Sequence, residues 1–237
     1  MEPIYNQETA QKEFILHGED WILRKLNGQL TTIFDVGCNI GEWTRLARSI
    51  HPETNIHMFE VVPDTFENMK KNITLDDKMF ANPFGLSSEA GTLAMKYKPS
   101  YSAVSTCLKM LRVDDSEHRT GLVFKGDDYV ESRMIDRINY LKVDVEGAEK
   151  MVFEGFTNTL KQNKIDIIQF EYGYACILTK WLLVDAYELL RPYGFILGKF
   201  SNDKIDFHEY ALWREDFQGP DYFAVHESRK DLIDLLR

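Results

Sequence analysis

Three short blocks of the 237-residue chain combine residue types that can do chemistry. In Asp35-x-Gly37-x-Asn39-x-Gly41, two glycines stand in a turn where the missing Cβ lets backbone approach a ligand closely. The acid two residues ahead of the first glycine would repel a diphosphate but can hold an ammonium, directly or through water. Glu60 follows Asp35 by 25 residues, a position at which a carboxylate can accept both hydroxyls of a ribose. Lys142-x-Asp144-x-Glu146 puts three charges on one face of an extended segment, so Lys142 can neutralise one carboxylate while the other takes a proton from a reacting hydroxyl. Asp144 and Glu146 are therefore the candidate catalytic pair. The competing structural role is that Asp144 orders the turn and Glu146 caps the next helix; for Glu149, inside that helix, capping is the preferred reading.

An alternation of strands and helices accounts for where these blocks fall. Residues 31–36 are β-branched and aromatic and run into the glycine turn, and 42–50 follow with a helical pattern. Residues 55–60 read as a second strand, with Pro63 opening a helix through 73. A third strand is expected over 78–86, a fourth over 138–144 with a helix over 148–155, and a fifth over 165–171 with a helix reaching 190. That rhythm predicts an α/β fold of parallel strands joined by covering helices. Segments 195–200 and 222–226 have no helix of comparable length between them and predict a closing antiparallel pair. In such a sheet ligands bind beyond the carboxyl ends of the strands, where the strand order reverses, and all three blocks lie at strand ends. Residues 1–30 give an N-terminal helical segment ending near Gly28. Residues 92–130 form an insertion too long for an ordinary crossover, with extended pieces at 92–97 and 122–124 and a polar stretch at 99–106. It reads either as a cap over the acceptor site or as a surface loop. No repeat or linker divides the chain, so a single domain is expected over 1–237.

Composition narrows the partners. With 44% hydrophobic residues the chain can bury a sizeable core, and 28 basic against 38 acidic residues leave a net charge of −10. Nucleic-acid affinity rests on Lys and Arg displacing counterions, so no nucleic-acid partner is expected. No stretch approaches the ~20 apolar residues of a membrane span, and the first residues lack a secretory pattern, which predicts a cytoplasmic protein without a membrane partner. Cys38, Cys107 and Cys176 are far apart, and six histidines are scattered singly, so neither type signals a metal site.

The turn at Asp35 together with Glu60 points to an adenosine-containing ligand, and S-adenosylmethionine, with a ribose and an amino-acid group but no phosphates, fits better than NAD. Four motifs in order, residues 34–44, 59–63, 85–91 and above all Leu141-Lys142-Val143-Asp144-Val145-Glu146-Gly147-Ala148-Glu149, resemble those of the FkbM family of S-adenosylmethionine-dependent methyltransferases. The resemblance covers roughly residues 30–200. It implies a Rossmann-like, class I methyltransferase with a seven-stranded, mostly parallel sheet whose last strand is antiparallel, and O-methylation of a small-molecule or carbohydrate hydroxyl. It also implies that Asp35, Gly37, Asn39 and Gly41 surround the methionine moiety, Glu60 the ribose, and Leu86 with Ser87 the adenine, with Cys38, Trp43 and Val61 as further cofactor contacts. Ser88 stands where the family often has an acid.

An NAD-dependent oxidoreductase is the alternative class, opposed by Asp35 and by the absence of G-x-G-x-x-G; a non-catalytic cofactor-binding protein of the same fold is another. A nucleic-acid methyltransferase is opposed by the net charge and by the lack of an Asn/Asp-Pro-Pro-aromatic motif after the fourth strand. His118 is a second candidate base, Glu171 faces either the acceptor or a neighbouring cation, and Tyr101, Tyr172 and Tyr174 can stack on a sugar or pack. Acids at adjacent strand ends raise a magnesium site like that of catechol-type O-methyltransferases, but the Asp/Asn ligand arrangement of those enzymes is missing. No metal is expected.

Overall fold

The computed structural model describes residues 17–98 and 117–237. Element order within them is α1 (Glu19–Lys25), β1 (Thr32–Val36), α2 (Glu42–Ile50), β2 (Asn55–Phe59), α3 (Pro63–Asn72), β3 (Met79–Asn82), β4 (Gly85–Ser87), β5 (Gly91–Tyr97), β6 (Glu117–Lys125), α4 (Gly126–Ser132) and β7 (Ile138–Val143). The second half continues with α5 (Glu149–Gly155), α6 (Thr157–Lys161), β8 (Ile165–Phe170), α7 (Ala175–Thr179), α8 (Leu183–Leu190), β9 (Phe195–Phe200), β10 (Ile205–Phe207), β11 (Tyr222–His226) and α9 (Lys230–Leu236).

Eight strands form one sheet in the order β10-β9-β11-β8-β7-β1-β2-β3. Strands β3, β2, β1, β7 and β8 run parallel, and β11 is antiparallel to both β8 and β9. This is the expected seven-stranded sheet, with β10 added as an antiparallel edge strand that sequence periodicity does not distinguish from a loop. Strands β7 and β8 are buried along their whole length because helices cover both faces. One face packs Phe34, Leu141, Phe153, Phe156 and Phe170. The other packs Ile22, Trp43, Tyr140 and Phe223, so the N-terminal helix seals the sheet beside β1.

The expected third strand is two strands. Pro83 follows Asn82 and has no N–H to donate, so the chain leaves the main sheet there, and 85–87 pairs instead with β6 in a second sheet of order β4-β6-β5. Strands β5 and β6 form an antiparallel ribbon from the insertion. At Gly121 the ribbon crosses the chain so closely that a Cβ would lie 1.9 Å from the Val61 carbonyl oxygen. The ribbon therefore rests directly on the residues after β2. Tyr101 and the polar stretch 99–106 lie outside the described residues, as do residues 1–16 of the N-terminal segment. Among the described residues no helix is long and apolar enough to cross a membrane.

Candidate active site

Strand order reverses at β1, whose neighbours are β2 and β7, and the carboxyl ends of these strands open into a cavity of about 310 Å³. That volume lies at the lower end of the range for small-molecule sites. Asp35, Gly37, Cys38, Asn39 and Trp43 line it from β1 and the start of α2; Glu60 and Val61 line it after β2, and Leu86 in β4. Asp144 and Glu146 line it after β7, and Glu171 after β8. Two of the expected contacts lie outside the lining. Gly41 opens α2 with φ of 85°, against Ile73, and Ser87 turns its carbonyl oxygen toward Gly155, where a Cβ would approach it to 2.1 Å.

The glycine turn is held by β2. Gly37 and Cys38 both donate to the Phe59 carbonyl at 3.0 Å. Gly37 has φ of 86°, and a Cβ there would lie 1.8 Å from the Asp144 carbonyl oxygen, so the end of β1 passes over the end of β7 only because no side chain intervenes. The Glu60 carboxylate then ties the two ends together, accepting from the Asn39 N–H at 3.0 Å and the Val62 N–H at 2.8 Å. Burial pushes Glu60 up to about 7. A carboxylate has about four acceptor positions, so these bonds leave room for a ligand hydroxyl.

Asp35 is fully buried opposite Lys142 in the β1–β7 register. Its Oδ2 accepts from the Thr44 hydroxyl, but Oδ1 is buried without a partner, as is the indole Nε1 of Trp43 in the same wall. Burial raises the Asp35 pKa while Lys142 opposes the rise. Lys142 is itself buried, donates to Asp144 at 2.7 Å, lies 3.9 Å from Glu19 and sits over the Trp43 ring. Burial alone would lower the lysine, and the surrounding Asp144, Glu19, Asp35 and Asp221 carboxyls outweigh it and hold it well above its ordinary value.

After Asp144 the chain makes a left-handed turn at Glu146, with φ of 52°, a conformation uncommon outside glycine and asparagine. Glu149 holds that turn. Its Oε1 accepts from Gly147 at 3.1 Å and Val145 at 3.3 Å, so it orders the loop ahead of α5 rather than capping the helix itself. One carboxyl oxygen from each of Asp144, Glu146 and Glu171 lies within 4.8 Å of the others. Burial and the neighbouring acids push Glu146 up to about 8 and Glu171 to about 10. His118 is exposed on β6 and does not line the cavity; Tyr172 is buried against Phe217, and Tyr174 is 70% exposed.

The floor of the cavity includes residues that sequence reasoning missed. Gln169 of β8 donates to Glu19 at 2.8 Å and to Asp221 at 2.5 Å, and accepts from Tyr140 at 2.5 Å. His17, Glu19 and Asp221 line the cavity beside Lys142, although they come from opposite ends of the chain. The apolar wall is completed by Leu93, Met95 and Val123 of the β5–β6 ribbon.

A family model for the methyltransferase FkbM domain matches residues 35–197, from Asp35 in β1 to β9. The chain belongs to the FkbM methyltransferase family. It is an S-adenosylmethionine-dependent methyltransferase, which removes the oxidoreductase alternative. It is 30% identical over 198 residues to the hexuronic acid methyltransferase AglP of Haloferax volcanii, covering 79% of this chain and 80% of that one. It is 26% identical over 151 residues to the 31-O-demethyl-FK506 methyltransferase FkbM of Streptomyces tacrolimicus, covering 52% and 58%. The METTL16 methyltransferase domain superposes with a TM-score of 0.51 at 12% identity over 95% of this chain and 70% of that one, a likeness of fold alone.

The cavity suits a cationic cofactor: an unpartnered Asp35 oxygen, the Glu60 carboxyl and a glycine turn whose neighbouring lysine, Lys142, is engaged by Asp144 fit an ammonium, a sulfonium and a ribose better than a diphosphate. The same acids set the sign of the pH response. Glu60 and Glu149 are raised from 4.5 to about 7, and Glu146 to about 8, so the folded state binds more protons than the unfolded one between those limits. The ligand-free protein should therefore lose stability as pH rises from about 5 to about 8. Buried His57, pushed down to about 4, acts with the opposite sign as pH rises to about 6.5, and exposed acids such as Asp64, held low by Arg119, do so below the window, so the fall is steepest above about 6.5. Thermal melts across this range, showing a melting temperature that falls without ligand, check the sign; a rising melting temperature contradicts it.

Proposed function

We propose that the chain methylates a hydroxyl of a small molecule or carbohydrate, with S-adenosylmethionine as the donor. The observation that carries this reading is the meeting, in one cavity, of a cation-compatible wall at Asp35, a ribose-type acid at Glu60 and a carboxylate pair at Asp144 and Glu146. The names of two relatives, a hexuronic acid methyltransferase and a 31-O-demethyl-FK506 methyltransferase, support an oxygen acceptor on a sugar or a small molecule.

S-adenosylmethionine supplies, when bound, a methyl group already activated by its sulfonium. The chain then has two tasks. Asp35 and the 37–39 backbone hold the amino-acid end, with Cys38 and Trp43 packed behind; Glu60 accepts from the ribose, and Val61 and Leu86 flank the adenine. This fixes the direction from which an acceptor oxygen must arrive, and alignment of this kind lowers the barrier without any covalent step on the enzyme. Asp144 takes the proton of the acceptor hydroxyl as its oxygen attacks, with Lys142 compensating the carboxylate, and Glu146 hydrogen-bonds the acceptor beside it. The β5–β6 ribbon, which lies on Val61 and contributes Leu93, Met95 and Val123 to the cavity, serves as the cap.

No metal is required in this reading, because Asp144 accepts the reacting proton and Lys142 already compensates its charge. Turnover should survive EDTA, and a loss restored by Mg²⁺ would contradict it. Titration calorimetry with S-adenosylhomocysteine is the direct test of the cofactor assignment. Binding with a dissociation constant in the micromolar range is expected, and none at high micromolar concentration removes the proposal.

A further inference from the structure

The stretch from Lys142 to Glu149 contains one acid that the proposed transfer does not use. Glu149 is 2% exposed and is not among the residues lining the cavity. Its carboxyl is turned instead on the loop just ahead of it. Oε1 accepts from the Val145 N–H at 3.3 Å and from the Gly147 N–H at 3.1 Å, and Oε2 is buried without a partner among the described residues. Between those two amides stands Glu146, left-handed with φ of 52°, and Gly147 follows with φ of 101°. A left-handed glutamate and a buried orphan oxygen persist only where their surroundings enforce them, and such features concentrate at working sites. What this loop delivers is the Glu146 side chain, which lines the cavity with one oxygen within 4.8 Å of oxygens of Asp144 and Glu171.

Asp144 is fixed by other means. Its N–H donates to the Val36 carbonyl at 3.0 Å, and its carboxylate meets Lys142 at 2.7 Å. The cofactor turn is likewise held from β2, through Phe59 and Glu60. We infer that Glu149 is a positioning residue, which aims the Glu146 carboxyl at the acceptor by holding the amides on either side of it. The inference rests on the proposed methyl transfer to a hydroxyl and adds a residue that acts on it without touching a ligand. The task requires an acceptor oxygen at the right reach rather than a charge. Glutamine has that oxygen, alanine lacks it, and aspartate falls one methylene short.

The test compares Glu149→Ala, Glu149→Gln, Glu146→Ala and the Glu146→Ala, Glu149→Ala double variant on the full chain. Radiolabelled methyl transfer from S-adenosylmethionine is measured with the methyl glycosides of glucose, galactose and mannose. Calorimetry gives S-adenosylhomocysteine affinity, and carbon-13 NMR follows the titration of the Glu146 carboxyl. Glu149→Ala should lower kcat/KM for the acceptor by about tenfold or more and keep S-adenosylhomocysteine affinity within about threefold, and Glu149→Gln should recover most of the loss. Because Glu149 acts through Glu146, the double variant should match Glu146→Ala within about threefold. The Glu146 carboxyl, pushed up to about 8 in the parent, should stay high in Glu149→Gln and fall toward 4.5 in Glu149→Ala as it leaves the cavity. Parent-like transfer in Glu149→Ala overturns the inference, as does a Glu149→Gln enzyme equally slow, or a loss that is undiminished when Glu146 is already alanine. If Glu149→Ala does not fold, Glu149→Asp replaces it with the same expectations. If the parent methylates none of the sugars although S-adenosylhomocysteine binds, the carbohydrate reading falls and the NMR titration decides by itself: a Glu146 carboxyl that titrates alike in Glu149→Ala and Glu149→Gln overturns the inference.

Discussion

Gly37→Ala is expected to abolish cofactor binding and to cost about 2–5 kcal/mol of stability, the sum of a left-handed backbone and an overpacked contact. The new methyl would stand 1.8 Å from the Asp144 carbonyl oxygen, a backbone atom of a buried strand end that has no rotamer in which to retreat. Relief requires the end of β1 to lift from β7, and that lift breaks the bond from the Asp144 N–H to the Val36 carbonyl at 3.0 Å. It also drags Asn39 away from Glu60, so the turn, the ribose acid and the candidate base lose register together. Urea unfolding with calorimetry of S-adenosylhomocysteine binding checks both halves. A variant within about 1 kcal/mol of the parent that still binds would show that the crossing is softer than this geometry.

The second large effect concerns chemistry alone. Asp144→Asn should lower the rate of methyl transfer by about 10²–10⁴-fold while leaving S-adenosylhomocysteine affinity within about threefold, because general-base assistance is worth that much and the amide keeps the shape. The Asp144 side chain is 43% exposed, so its loss leaves the packing intact, and Lys142 keeps Glu19 nearby. Glu146→Gln should have the smaller effect, since a carboxyl pushed up to about 8 already holds its proton through much of the neutral range. Single-turnover rates with saturating cofactor separate the two. If Asp144→Asn retains half of the parent rate, the base lies elsewhere.

The legible parts of this site were those encoded within a few residues of a strand end. Asp35, Gly37, Glu60, Asp144 and Glu146 all line the cavity because parallel strands deliver their carboxyl ends to one edge, and type and spacing were enough to find them. Gly41 and Ser87 share those local patterns yet face elsewhere, since neighbouring positions in a turn diverge within one residue. Glu19 and Asp221 carried no local signal: each became a cavity residue through Gln169, which lies 150 positions from one and 52 from the other. The break in the third strand was signalled by Pro83, but where the freed segment would pair depended on β6, more than thirty residues downstream.

That Gln169 junction also gives the enzyme a timetable. Among the described strands β11 comes after β9 and β10 in the sequence, yet it lies between β8 and β9 and brings Asp221 to the cavity floor, while Glu19 arrives with the first described helix. A nascent chain that has already made its glycine turn and its Asp144 loop still lacks one side of its cavity floor. Joining partners so distant in sequence is slow, and it completes the sheet and the floor of the site in the same step. The floor of the cavity should therefore be completed late, once the residues up to position 226 have joined the sheet.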